Sequence, residues 1–156
     1  MMSCRNIFAL TKLRKNSFIP IRTIIDVGKR PAGDVASVGV DTAKDLLSSG
    51  HRFLDVRTTE EFNESHVHGA LNVPYLFITQ EGRVKNPEFL TQVASVCSKE
   101  DHIIVGCKSG IRSLCACVDL LNAGYEHVTS MEGGYSAWLD KNLPKINKPA
   151  AELKTC

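Results

Sequence analysis

The run Ile103-Ile104-Val105-Gly106-Cys107 passes without a break into Lys108-Ser109-Gly110-Ile111-Arg112-Ser113, and then into Leu114, Cys117, Val118 and Leu121 at helical spacing. A short apolar run bounded by turn residues reads as a buried strand, and the period that follows reads as a helix. A buried strand that feeds directly into a helix commits the chain to a layered α/β architecture, because the helix must return over the sheet to cover its apolar face. In such sheets ligands bind outside the carboxyl ends of the strands, where Cys107 is expected to lie.

The rest of the chain repeats this alternation from Val38 onward. Asp41 is expected to cap a helix carrying Ala43, Leu46 and Leu47, with Gly50 closing it in the left-handed region. Phe53 to Val56 reads as a short buried strand, and Thr59 opens a helix through Glu60, Glu61 and Phe62. Gly69 and Pro74 break the segment from His66 to Pro74. Asn86 and Pro87 are expected to start a third helix with Phe89, Leu90, Val93 and Val96 facing inward. Asn122 to Gly124 stop the helix after Cys107, a last strand lies near His127 to Met131, and Gly133-Gly134 lead into a final helix with Tyr135 and Trp138.

With 156 residues, 43% hydrophobic and 23% charged, the chain has the make-up of one globular domain. Its apolar stretches are far shorter than the roughly 20 residues a membrane span requires. The net charge of +2 divides unevenly: residues 1–25 hold Arg5, Lys12, Arg14, Lys15 and Arg22 with no acid, so the remainder has 14 basic and 17 acidic residues. A domain with a net negative charge has no electrostatic support for nucleic-acid binding. Wound as a helix, residues 5–15 would gather Ile7, Ala9, Leu10 and Leu13 on one side and Arg5, Lys12 and Lys15 on the other. This pattern fits an organellar transit peptide, with mitochondrial import expected and a plastid or cytoplasmic location as alternatives; the plain reading is a basic tail. The expected division is a transit peptide and linker over 1–36, a domain over 37–145 and a tail over 146–156.

The six cysteines, at 4, 97, 107, 115, 117 and 156, contain no C-x-x-C pair, so zinc-ribbon and thioredoxin-type motifs are disfavoured and no metal or other cofactor is expected. Cys107 is different because of its place. Backbone N–H groups at a helix start lack helical partners and favour negative charge, so they stabilise a thiolate and can hold an oxyanion. Gly110 lets the chain curl with its amides inward, and Arg112 adds a permanent planar charge. Lys108, Ser109, Gly110, Ile111, Arg112 and Ser113 are therefore the expected anion-binding loop around a Cys107 nucleophile.

Several ordered motifs carry a family resemblance. Asp55-Val56-Arg57, Glu61-Phe62, His66-Val67-His68-Gly69-Ala70 with Asn72 and Pro74, Cys107-x-x-Gly110-x-Arg112-Ser113 with Ala116, Leu120 and Gly124, and Gly133-Gly134 with Trp138 resemble a rhodanese domain over about residues 38–142. The resemblance implies a five-stranded parallel sheet flanked by helices on both faces. It also implies sulfurtransferase chemistry, in which Cys107 takes a sulfane sulfur from thiosulfate or a similar donor and passes the persulfide sulfur to a thiophilic acceptor. Within the short plant members, Leu90 to Cys97, Ala116 to Leu121 and Glu152-Leu153-Lys154 are similar to the high-arsenic-content type of arsenate reductase. That implies a second activity on the same loop, reduction of arsenate by Cys107 and a second thiol from Cys115, Cys117, Cys156, glutathione or thioredoxin. Four residues separate Cys107 from Arg112, one fewer than in the related cell-cycle phosphatases, which favours sulfur over a phosphate-sized ligand. Ser65 stands where the family often has glycine.

Each residue also has a plainer role. Cys107 could be a buried apolar thiol, Arg112 a tie to Asp55 or Glu61, Lys108 a solvated lysine, and Ser109 and Ser113 loop hydroxyls. Asp55 and Arg57 read as a structural pair, and Tyr135 and Trp138 as core and rim of the last helix. Cys117 and Cys115 read as core packing before resolving thiols, whereas Cys156 supports either role. A rhodanese module that only binds a protein partner is the third reading, and it would retain its role without the Cys107 thiol.

Overall fold

A computed structural model describes residues 31–148. Five parallel strands form the central sheet in the order β1-β8-β7-β2-β4, where β1 is Ala36–Val38, β2 is Arg52–Asp55, β4 is Leu71–Asn72, β7 is Ile103–Gly106 and β8 is Val128–Met131. Two small antiparallel pairs flank it. Strand β3, Ser65–Val67, pairs with β9, Lys145–Asn147, and β5, Leu76–Thr79, pairs with β6, Gly82–Lys85. The described helices are α1, Val40–Ser48; α2, Thr59–Glu64; α3, Phe89–Val96; α4, Ile111–Asn122; and α5, Gly134–Asp140.

Strand side chains alternate across the sheet, and the core accordingly divides in two. Leu54, Val56, Ile103 and Val105 pack on one face with Phe89 and Val93 of α3 and Ala116, Cys117 and Leu120 of α4. Phe53, Ile104 and Met131 point to the other face, against Val40 and Ala43 of α1 and Tyr135 and Trp138 of α5. Cys107 continues the parity of Ile103 and Val105, so its side chain is directed toward α4. The expected architecture of a five-stranded parallel sheet with helices on both faces is what the chain adopts.

Local boundaries differ from the sequence reading where a neighbouring residue is the better cap. Gly39, not Asp41, is the N-cap of α1, and Asp41 lies in its first turn, where its charge still faces the positive helix end. Helix α2 opens at Thr59 as expected, and Thr58 before it is the cap, through a reciprocal pair in which Glu61 N–H donates to Thr58 Oγ1 at 3.3 Å and Thr58 N–H donates to Glu61 Oε2 at 3.0 Å. Helix α3 begins at Phe89 because the buried Asn86 side chain accepts the Glu88 N–H at 3.0 Å and holds Asn86-Pro87 in a preceding turn. Leu90 is exposed, since Phe89 and Val93, four apart, already take the inward direction. The 31–36 end of the expected linker is ordered: Ala32–Asp34 make a turn of 3-10 helix, Val35 is buried, and Ala36 starts β1 beside Thr129. The β5–β6 hairpin was not expected. It is fastened where Tyr75 Oη and Lys85 Nζ both donate to Asp119 Oδ2 of α4, at 2.9 and 2.5 Å.

Two devices organise the carboxyl ends of β2 and β7. Asp55 and Arg57, 1% and 5% exposed, form a buried ion pair in which Arg57 Nε donates to Asp55 Oδ1 at 3.0 Å and Arg57 NH2 donates to Oδ2 at 2.7 Å. The same guanidinium donates to the Ser65 carbonyl at 2.8 Å and lies 4.1 Å above the Tyr135 ring. The second device is a close backbone approach. A Cβ on Gly134 would stand 2.5 Å from both the Cys107 and Lys108 carbonyl oxygens, and this glycine has φ +62°.

Replacing Arg57 by Ala strands a buried carboxylate and should cost roughly 3–5 kcal/mol; urea unfolding reads this directly, and a loss below about 1 kcal/mol would show that the pair is not what neutralises Asp55. Gly134→Ala should destabilise more than Gly50→Ala. Both positions have positive φ, but only the Cβ at 134 meets backbone. Equal losses in the two variants would show that the approach of α5 to the Cys107 loop is slack.

Candidate active site

The sequence places Cys107 one residue beyond β7, and the loop that follows is bound on three sides. Tyr135 N–H donates to the Cys107 carbonyl at 2.7 Å and Ser136 N–H to the Lys108 carbonyl at 3.1 Å, so the first turn of α5 grips the outgoing strand. Gly110, at φ +107°, reverses the chain and becomes the N-cap of α4. Its carbonyl accepts from Leu114 N–H at 3.1 Å and from Ser113 Oγ at 2.9 Å.

That reversal turns the Gly110 N–H back onto Cys107 Sγ, at 3.0 Å. A donor so placed favours negative charge on sulfur, and the amides of Ile111, Arg112 and Ser113 begin the helix without helical carbonyls to bond. The Ser113 hydroxyl lies 3.7 Å from Cys107 Sγ and 3.1 Å from Ser130 Oγ at the end of β8. Cys107 is 1% exposed, so its sulfur forms the floor of the loop. Lys108, Ser109 and Ile111 are exposed on the rim.

Arg112 is brought to the site but is not a bare cation. Its NH1 donates to Glu61 Oε2 at 2.7 Å and its NH2 to Glu61 Oε1 at 3.0 Å, a two-pronged pair between α4 and α2. The Arg112 guanidinium, then the Thr58 N–H, hold the Glu61 carboxyl at about 2, against the opposing effect of burial. Glu61 is one of the two carboxylates that the sequence offers as an Arg112 tie; the other, Asp55, is occupied by Arg57.

The remaining cysteines sort by burial. Burial pushes the Cys117 thiol up to about 12, with the nearby Cys107 adding to the effect, and Cys97 is raised for the same first reason. Cys115 is exposed. Cys156 and the basic N-terminal segment lie outside the described residues. Sequence reasoning missed Ser130, the Tyr135 amide and the Gly134 approach. The Gly133-Gly134 doublet was the available signal for the last two, because paired glycines at a helix start announce a backbone that something else must approach closely.

The described helices include none long and apolar enough to cross a membrane. A family model described as a rhodanese-like domain matches residues 39–141. The chain is 61% identical over 121 residues to Protein HIGH ARSENIC CONTENT 1, mitochondrial, of Arabidopsis thaliana, covering 78% of this chain and 71% of that protein. It is 54% identical to Thiosulfate sulfurtransferase 16, chloroplastic, of the same plant, covering 70% of this chain and 91% of that one. Among solved structures, a rhodanese-related protein of Thermoplasma volcanium shares the fold at TM-score 0.56 and 21% identity, covering 71% of this chain and 97% of that one. The strand-end cysteine loop, the sheet order and these matches agree: the chain belongs to the rhodanese-like domain family.

Proposed function

We propose that the chain is a single-domain sulfurtransferase whose nucleophile is Cys107. The observation that carries this reading is the Gly110 N–H donated to Cys107 Sγ at 3.0 Å, inside a loop that closes into a helix N-terminus. The thiolate attacks the outer sulfur of thiosulfate or a similar donor, the S–S bond breaks, and sulfite leaves with the bonding electron pair. Cys107 then carries a persulfide, and an acceptor such as cyanide or a thiol takes its outer sulfur and regenerates the thiolate. The Cys107–Ser113 loop, with Gly110 and the amides of Ile111 to Ser113, receives the donor's anionic end, while Lys108 and Ser109 on the rim meet it in solvent.

The acceptor is external in this account. A thiol buried and pushed up to about 12, as Cys117 is, yields almost no thiolate at neutral pH, so glutathione, thioredoxin or another soluble thiol fills that role. The basic first segment and relatives whose names say mitochondrial and chloroplastic support an organellar location, mitochondrial by preference.

A second reading has its own observation, the relative named for arsenic content. On the same loop Cys107 would bond to arsenic with loss of water. A second thiol would attack the Cys107 sulfur, so that arsenic is reduced to arsenite as two thiols become one disulfide.

Thiocyanate formation from thiosulfate and cyanide should vanish in Cys107→Ser and persist within about threefold in Cys117→Ala, whose cost is packing, on the order of 1 kcal/mol. Running the same two variants with arsenate, glutathione and arsenite detection decides between the readings. Arsenite production without thiocyanate production would replace the first with the second, and loss of turnover in Cys117→Ala with persulfide loading intact would make Cys117 the acceptor.

A further inference from the structure

Two buried serines stand behind the Cys107 sulfur. Ser113, in the first turn of α4, is fully enclosed, and Ser130 of β8 is 3% exposed. Ser130 lies in register beside Val105 of β7 and shares the parity of Val128, so its side chain faces α4 from the strand next to that of Cys107.

Counting hydroxyl protons gives the pair a direction. Ser113 Oγ donates to the Gly110 carbonyl at 2.9 Å, and it lies 3.7 Å from Cys107 Sγ and 3.1 Å from Ser130 Oγ. A hydroxyl has one proton and two lone pairs. Two acceptors therefore compete for the Ser113 proton, the carbonyl and the sulfur, whereas Ser130 Oγ has Ser113 Oγ as its one hydrogen-bond partner among the described residues. Donation from Ser130 to Ser113 leaves neither proton unbonded in the interior, and the reverse would strand the Ser130 proton. The Gly110 carbonyl keeps the Leu114 N–H at 3.1 Å whichever way Ser113 turns. With a neutral thiol, Ser113 Oγ accepts from both Sγ–H and Ser130. With a thiolate, the Ser113 O–H can face sulfur while Ser130 still donates behind it and polarises the bond.

We propose that Ser130 is a positioning residue for the Cys107 thiolate, holding Ser113 from strand β8 so that the Ser113 proton turns from the Gly110 carbonyl to Sγ when the sulfur becomes negative. The inference rests on the reading of Cys107 as the nucleophile. Charged and titratable groups stand around the loop on α2 (Glu61), on α4 (Arg112 and Cys117), on the loop itself (Lys108) and beyond β2 (the Asp55–Arg57 pair), and serine substitutions leave each of them in place.

The test follows the ultraviolet absorbance of the thiolate against pH in the full chain, with the matching Cys107→Ser protein subtracted so that only the Cys107 step remains. Ser130→Ala should move the midpoint of that step upward, leaving about threefold less thiolate at a pH below it, and Ser113→Ala should leave about tenfold less. The Ser113→Ala, Ser130→Ala double variant should match Ser113→Ala alone, because Ser130 acts only through Ser113. A merely structural Ser130 would change stability and leave the midpoint where it is. If Ser130→Ala does not fold, Ser130→Thr and Ser130→Val provide the comparison: the two have the same shape, and only Thr keeps the hydroxyl, so the Val midpoint should lie above the Thr midpoint. An unmoved midpoint in folded Ser130→Ala, equal midpoints for Thr and Val, or a Ser130 effect that persists in full on the Ser113→Ala background would overturn the inference. So would the absence of any Cys107 step. Sulfur loading of the unmutated chain from thiosulfate, read by mass, shows separately whether the sulfurtransferase reading stands.

Discussion

The hydrogen bond from the Tyr135 amide to the Cys107 carbonyl, 2.7 Å long, determines where strand β7 stops and the loop begins. With Ser136 on the next carbonyl, and with no side chain on Gly134 to hold α5 away, the last helix fixes the backbone of a loop that lies some thirty residues earlier in the chain. Gly110 can then complete the turn in the left-handed region and direct its N–H at the sulfur. A cysteine in an untethered loop would lose this donor to solvent. Here the donor is held by the same contacts that close the fold, so the polarity around sulfur is prepared before any ligand arrives.

Around that centre, charges are deployed in pairs. Asp55 and Arg57 neutralise one another beneath Tyr135 and position Ser65, while Glu61 and Arg112 connect α2 to α4 beside the loop. The first pair is fully enclosed and structural. The second is partly exposed and joins α2 to α4 beside the loop. Both depend on short stretches at the carboxyl ends of strands, where an α/β sheet collects its ligands.

Much of this was legible in the residues. The apolar run from Ile103 to Cys107, the glycine and arginine that follow, and the helical period beyond them were sufficient to place Cys107 at a strand end that leads into a helix. The structural reading of Asp55 with Arg57 could also be made, because a charged pair directly after a buried strand has few other uses. What was not read was the choice between near-equivalent caps: Gly39 precedes α1 where Asp41 was expected to cap it, and Glu88 precedes α3 where Asn86 was expected, because Asn86 spends its side chain on the Glu88 N–H; the Thr58–Glu61 capping box was a local signal in the sequence that went unused. The β5–β6 hairpin escaped for a different reason. Its strands are short and largely exposed, so they show no clean alternation, and they are held by Asp119, more than thirty residues away. Arg112 was foreseen both as an anion ligand and as a tie to a carboxylate; the geometry establishes the tie to Glu61, and the ligand role is part of the proposal.

The central claim is that Cys107 carries sulfur as a covalent persulfide, and the intact mass of the purified chain after thiosulfate treatment tests it most directly. The account predicts that the protein gains the mass of one sulfur atom, that peptide mapping places it on Cys107, and that cyanide or a reducing thiol removes it, while the Cys107→Ser protein gains nothing. An unmodified mass after thiosulfate, or a sulfur that appears equally in the Cys107→Ser protein, would contradict it.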